Sequence, residues 1–289
     1  MRAKQIPRID IHDRIELKNE LPLRTPYVIH IDPCDTCNFK CKFCPSGNRE
    51  LMKKTTGRGH GPMDFEVYKR VIDSLKEFPD KIRVIRLYKE GEPLLNPRLA
   101  DMVRYAKESG YCERVDTTTN ASMLTHERSL ALIEAGLDRL NISVEGINAG
   151  QYQEFSGYSL DYEKFVEQIA FFYEHRKQCE VNIKICGDNL TPEQEEEFYN
   201  TFGNIADGIS VERAIEYWPK FDEMKVEVDE KGHPINVYQK VTKEANWLIE
   251  EFMLLANRSV AEFVSVKCKK SFVYRVHDEP NQEKVEALR

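Results

Sequence analysis

Apolar positions along the chain follow two periods in turn. Short β-branched or aliphatic runs at Tyr27–Asp32, Ile82–Tyr88, Glu113–Thr118, Arg139–Glu145, Val181–Cys186 and Ile209–Arg213 predict six strands. Between them, apolar residues recur every three or four positions, the spacing of one helix face. This predicts helices over Phe65–Phe78, after Asn96, from Thr125 to near Gly136, over Tyr162–Gln178 and after Thr191. Start signals support several of them. Asp64 is placed to cap the first. Asn96 precedes Pro97, and a proline at the first helical position loses no hydrogen bond. Thr191 and Gln194 form a capping-box pattern around Pro192.

Strands alternating with helices predict a parallel sheet with right-handed crossovers. Six such units give an α/β fold that curls into an open, partial (β/α)6 TIM-like barrel. In such folds the chemistry gathers at the C-terminal ends of the strands. The pattern breaks after Pro219. A charged, turn-rich stretch, Lys225–Pro234, precedes a helical run over about Tyr238–Leu255. The expected organisation is an N-terminal extension (1–25), a core (26–219) and a largely helical C-terminal extension (220–289). The chain shows no internal repeat or low-complexity tract.

Composition narrows the function only a little. Of 289 residues, 41% are hydrophobic and 31% charged, an ordinary globular balance. With 42 basic against 49 acidic residues the net charge is −7, which disfavours a general nucleic-acid binder. Lys267, Lys269 and Lys270 form a local basic patch. No run approaches the ~18 apolar residues of a membrane span, and Met1–Arg14 lacks the apolar centre of a signal peptide. A cytoplasmic protein is the expectation. Four of the eight cysteines, Cys34, Cys37, Cys41 and Cys44, fall within eleven residues. In a reducing compartment such a cluster points to metal rather than to disulfides.

The cluster, Cys34-Asp-Thr-Cys37-Asn-Phe-Lys-Cys41-Lys-Phe-Cys44, follows the first strand directly. Thiolates are the soft ligands of iron–sulfur clusters. A zinc site usually joins two cysteine pairs a dozen or more residues apart, whereas here all the cysteines lie in one tight loop. The Cys37–Cys41–Cys44 spacing, with an aromatic residue before the last cysteine, resembles the radical S-adenosylmethionine superfamily signature. That resemblance implies a 4Fe–4S cluster on these three cysteines, with one iron left for the amino and carboxylate groups of S-adenosylmethionine. One electron then splits the sulfonium to a 5′-deoxyadenosyl radical. Cys34 has no ligand role in that pattern and is expected to be a small buried residue.

Further segments extend the resemblance from Tyr27 to about Trp218. Tyr88-Lys-Glu-Gly91-Glu92-Pro93 is similar to the family's Gly-Gly-Glu-like motif, with Glu90 in place of the first glycine. It implies that Glu92 holds the S-adenosylmethionine ammonium. Thr117-Thr-Thr-Asn120-Ala resembles Thr-Asn-Gly, with alanine replacing glycine, and places Asn120 at the cofactor cleft. In Asn141-Ile-Ser143-Val-Glu145-Gly146 the polar residues share one face of a strand. The resemblance implies that Ser143 and Glu145 hold ribose hydroxyls. Asn182, Lys184 and Cys186 share a face of the next strand, where Lys184 meets either the methionine carboxylate, an acidic substrate or Glu145. Glu212, Glu216 and Trp218 sit where substrate should approach.

The resemblance thus implies an enzyme that abstracts hydrogen from an organic substrate, a sugar or aminocyclitol first and a peptide as the alternative. An external electron donor such as flavodoxin or ferredoxin is implied, with neither nucleic acid nor membrane as partner. Catalytic residues beyond the cofactor remain unassigned. Relatives with this wording carry a cysteine-rich C-terminal domain. Here only Cys268 lies beyond Trp218, so a second cluster on this chain is not expected, and truncation of a longer ancestor is open. Two readings of another class stay open: a non-catalytic iron–sulfur protein and a degenerate S-adenosylmethionine binder. The glycine-rich Thr55–Gly61 segment lacks the Gly-Lys-Ser/Thr of a phosphate loop and is expected to be a mobile loop.

Overall fold

The computed structural model describes residues 2–6, 20, 23–41, 44–54, 60–188 and 190–213, and the backbone of 225–228 and 234–238. The chain divides into two compact units, 1–214 and 215–289.

In the first unit seven strands form one parallel sheet: β1 (Lys4–Gln5), β2 (Val28–His30), β3 (Ile82–Arg86), β4 (Cys112–Thr119), β5 (Arg139–Val144), β6 (Glu180–Cys186) and β7 (Gly208–Glu212). Their order is β1-β7-β6-β5-β4-β3-β2, so β2 to β7 lie in chain order and the sheet stays open. This is the α/β partial barrel that the alternation predicts. The addition is β1, which pairs with β7 through Lys4 and Gly208, so the N-terminal extension supplies an edge strand.

Seven helices are described: α1 (Arg49–Lys54), α2 (Phe65–Ser74), α3 (Leu99–Ser109), α4 (His126–Glu134), α5 (Ala149–Ser156), α6 (Tyr162–His175) and α7 (Pro192–Phe202). The expected caps hold. The Asp64 side chain accepts from Val67 N, Thr125 accepts from Arg128 N, and Thr191 and Gln194 close a full capping box. One start differs. Asn96 accepts from Arg98 N and donates to Pro33 O at 2.8 Å, so it stabilises a turn, and the helix begins at Leu99 rather than Pro97.

The longer helices lay one apolar stripe towards the sheet. Phe165, Ile169 and Phe172 of α6 and Leu99, Met102, Val103 and Ala106 of α3 are all buried. They share one buried core with Leu140, Ile142 and Val144 of β5 and Val181, Ile183 and Ile185 of β6, each at most 2% exposed. Fully burying one such side chain contributes roughly 1.5–3 kcal/mol, so this interface holds the barrel. At the N-terminal end of the sheet one device occurs twice. Asp138 accepts from Val115 N and pairs with Lys107; Asp207 accepts from Val181 N and pairs with Arg176. Each aspartate satisfies the start of the neighbouring strand and leaves the opposite end for function.

In the second unit, β8 (Lys225–Val228) and β9 (Pro234–Tyr238) form an antiparallel pair, irregular at Glu227/Val228. The stretch expected to be turn-rich therefore contains strand, because Val226 and Val228 alternate with charged residues at period two. The helical run expected to Leu255 lies outside the described residues, as do Glu216, Trp218, Cys268 and residues 55–59. No helix among the described residues is long and apolar enough to cross a membrane.

Candidate cofactor site

The cysteine loop leaves β2 and is moulded by its neighbours. Cys34 is fully buried and bridges Pro62; its thiol lies 3.5 Å from the Thr36 carbonyl. Asp35 accepts from Gly61 N at 2.7 Å and His60 N at 3.1 Å. Phe39, 1% exposed, is inserted between Tyr152 and Tyr158, and Lys40 N donates to Ser156 O at 2.7 Å. α5, which the hydrophobic pattern does not predict, is therefore the floor of the loop. Cys44 N donates back to Cys41 O at 3.0 Å, closing the turn between those two cysteines. Phe43, the aromatic residue of the motif, lies outside the described residues.

The thiols of Cys37, Cys41 and Cys44 are partly exposed. Burial pushes Cys37 up to about 11, with the charges of Glu92 and Cys44 adding to it, while Phe39 N and Asn120 lower it. Burial pushes Cys41 further, helped by Glu145, Cys37 and Cys44. The thiols thus feel one another, yet no three His, Cys, Asp or Glu side chains among the described residues close around a single ion. Three thiols grouped in one loop are the soft donors that an iron–sulfur cluster takes. Loading it must displace their protons.

The turn after β3 is locked to this loop. Glu92 N donates to Thr36 O at 2.8 Å, Glu90 N to Asp32 Oδ1 at 2.9 Å, and Gly91 N to Ser46 Oγ at 3.2 Å. Ser46 in turn donates to Glu90 at 3.1 Å. Gly91 has φ +70°, and a Cβ there would lie 2.2 Å from Cys34 O and 2.7 Å from Thr36 O. Only glycine allows this approach. Glu90, standing where the family pattern has a glycine, is accommodated because its carboxylate meets Ser46.

Glu92 is 2% exposed and joins three segments. Its Oε1 accepts from Leu94 N at 2.9 Å and from the Thr119 hydroxyl; its Oε2 accepts from Asn120 N at 2.8 Å. Burial raises its pKa, opposed by these donors and by Arg128. Asn120 extends the network from β4 to the cysteine loop. Its Nδ2 donates to Asn38 Oδ1 at 3.0 Å and lies 3.8 Å from Cys37 Sγ. Ala121, at the family's glycine position, has φ +57° and is the one non-glycine residue with positive φ among those described.

The opposite side of the mouth is built from side chains. Register places Ser143 beside Lys184 and Lys184 beside Ser210, with Cys186 beside Glu212. Lys184 Nζ is 3.3 Å from Glu212 Oε2. Burial pushes the neighbouring Glu145 up to about 7, against the pull of Lys184 and a hydrogen bond with Cys41. Ser143 is half-buried, and its side chain makes no hydrogen bond among the described residues. The structure thus gathers Cys37, Cys41, Cys44, Gly91, Glu92 and Asn120 on one side, and Ser143, Glu145 and Lys184 on the other. It adds Ser46, which no motif marks, and gives Thr119 and Asn38, which lie inside quoted motifs, partners in the network.

A family model described as "Radical SAM superfamily" matches residues 31–202, more than half of the chain. The chain belongs to the radical SAM superfamily. Members bind a 4Fe–4S cluster and S-adenosylmethionine. An AdoMet-dependent heme synthase from Oleidesulfovibrio alaskensis is 26% identical over 155 residues, which are 54% of this chain and 37% of that protein. Solved structures of SuiB from Streptococcus suis share the fold. The one bound to S-adenosylmethionine gives a TM-score of 0.52 at 19% identity, covering 71% of this chain and 43% of SuiB. The one bound to precursor peptide SuiA gives 0.53 at 18%, covering 87% and 49%. This radical SAM chain spans less than half the length of each of these relatives. A second family model, "RNB domain", matches residues 166–289. Ribonuclease R from Thermotoga maritima is 26% identical over 234 residues, 75% of this chain and 32% of that protein. The two family matches overlap over 166–202, where the chain folds as most of α6, β6 and α7 of the barrel.

Proposed function

We propose that this chain is a radical SAM enzyme that cleaves S-adenosylmethionine reductively at a 4Fe–4S cluster held by Cys37, Cys41 and Cys44, and abstracts hydrogen from an organic substrate. The observation that carries this is the lock between the cysteine loop and the Gly91–Glu92 turn: the two segments that would meet the cofactor are hydrogen-bonded to each other. When bound, the cluster and S-adenosylmethionine supply the one-electron chemistry, and the protein orients and shields.

Each residue has a part in that reading. A carboxylate offers about four acceptor positions, and Glu92 fills three with its own chain, leaving one on Oε2 for the S-adenosylmethionine ammonium. Lys184 faces the methionine carboxylate; Ser143 and Glu145 face the ribose hydroxyls; Asn120 steadies Cys37. The core, 26–219, does this work, and 220–289 is an extension without a complete second cluster. A sugar or aminocyclitol is the first substrate reading and a peptide the alternative. The electron comes from an external donor of the flavodoxin or ferredoxin type, in a cytoplasmic setting.

The RNB match favours a second reading for the C-terminal part alone: that it contacts RNA, with Lys267, Lys269 and Lys270 as its basic patch. A filter-binding titration with single-stranded RNA tests this, and binding unchanged by neutralising those lysines contradicts it.

The primary test is anaerobic reconstitution with iron and sulfide, followed by dithionite, S-adenosylmethionine and chromatography. 5′-Deoxyadenosine should form in the wild type and disappear in Cys37→Ala, Cys41→Ala and Cys44→Ala. A fully loaded chain that binds S-adenosylmethionine without cleaving it would support the degenerate binder instead.

A further inference from the structure

The inner face of the barrel carries a row of charge below the cofactor site. His30, Arg86, Asp116, Arg139 and Glu180 are register partners from β2 to β6, so their side chains leave the sheet side by side. Arg139 pairs with Glu180 at 2.6 Å, and Arg114 pairs with Asp116 at 2.9 Å. Asp116 is 1% exposed, and burial raises its pKa despite the opposing charges of Arg114, Arg139 and Arg86.

Arg114 and Arg139 each hold a carboxylate at ion-pair distance, whereas Arg86, beside Asp116 in register, acts on it only through its charge. The Arg86 side chain makes no ion pair or hydrogen bond among the described residues, and its Nε is buried without an acceptor. A buried donor without a partner costs about 1–3 kcal/mol, more when charged. Such a group persists when something beyond the described residues satisfies it.

Its position indicates what that is. Arg86 ends β3 and His30 ends β2, directly before the Glu90–Glu92 turn and the cysteine loop. The space in front of them is open, since His30 is exposed and Val28, on the same face, is 37% exposed. His30 Nδ1 lies 3.2 Å from the Tyr88 carbonyl, which can only accept, so Nδ1 donates and Nε2 faces away from that bond.

We propose that Arg86 is the docking point for an anionic group of the substrate, a carboxylate or a phosphate. The inference rests on the radical SAM reading and narrows it. Among sugars it favours a phosphorylated or acidic one over a cationic aminocyclitol, and among peptides one with an acidic side chain. A guanidinium suits the task, because its planar fork matches either oxyanion through two parallel hydrogen bonds.

The test titrates inorganic phosphate, and separately malonate, into the reconstituted full chain by calorimetry. At least one should bind, about tenfold more weakly in Arg86→Gln and within about threefold of wild type in Arg86→Lys, which keeps the charge. Phosphate alone assigns a phosphorylated substrate, and malonate alone a carboxylated one. Because Arg86→Gln could lose the fold, the wild type is also labelled with phenylglyoxal and mapped by mass spectrometry. Arg86 should react, and the anion that binds should protect it. Affinity unchanged in Arg86→Gln, no binding of either anion, or labelling indifferent to both would overturn the proposal. Failure of the radical SAM reading shows separately, as absence of 5′-deoxyadenosine from the wild type whatever the anions do.

Discussion

The two sides of the barrel mouth are built differently. On the β2–β4 side, backbone groups are tied within the chain: Glu92 N donates to Thr36 O, Gly91 packs against Cys34 O, and Asn120 N donates to the Glu92 carboxylate. On the β5–β7 side, the polar groups are side chains on adjacent strands, and their main tie is the Lys184–Glu212 pair. The first side is a frame that the chain completes by itself. The second side is a set of groups that a ligand completes. Mutations should therefore act on stability at the frame and on affinity opposite it.

The largest effect is expected at Gly91. Gly91→Ala forces a methyl group into the cysteine loop at a positive φ, which should cost about 3 kcal/mol or more. Denaturant unfolding and iron content should both report the loss; stability within about 1 kcal/mol of wild type would break the contrast. Next comes Glu92→Ala, which strands the Thr119 hydroxyl and two backbone N–H groups. It should cost about 2–4 kcal/mol and weaken S-adenosylmethionine binding, while a chain that still folds keeps its iron. Across the mouth, Lys184→Met should change stability by less than about 1 kcal/mol, because the Lys184 side chain is 38% exposed. S-Adenosylmethionine affinity should fall about tenfold with the loss of one charge-assisted contact. If instead stability falls and affinity holds, the two sides do not differ in kind. The smallest effect should be a gain: Ala121→Gly relieves the left-handed backbone at φ +57° and should raise stability by about 1 kcal/mol or less, read as a slightly higher melting temperature.

The same contrast explains what was legible in the sequence. Strand and helix succession was, because period-two runs and caps such as Asp64, Thr125 and Thr191 are local signals. β1 was not, since two residues carry no period, and α5 buries only Tyr152 and Ser156. Asn96 was read as a helix cap because its neighbour is proline, whereas its side chain spans 63 positions to Pro33. In the site, motif spacing located the cysteines, Glu92 and Asn120. It was silent on Ser46, which reaches Glu90 across 44 positions, and on Arg86, whose place in the row of charge emerges only once register sets it between His30 and Asp116. Residues defined by pairing across the sheet cannot be seen from spacing along the chain.

The most direct test of the central claim is electron paramagnetic resonance of the reconstituted, dithionite-reduced chain before and after addition of S-adenosylmethionine. The account predicts a cluster signal that changes when S-adenosylmethionine is added, because one iron has no ligand from Cys37, Cys41 or Cys44, and that is largely retained in Cys34→Ala. A signal unchanged by saturating S-adenosylmethionine, or lost in Cys34→Ala, would contradict it.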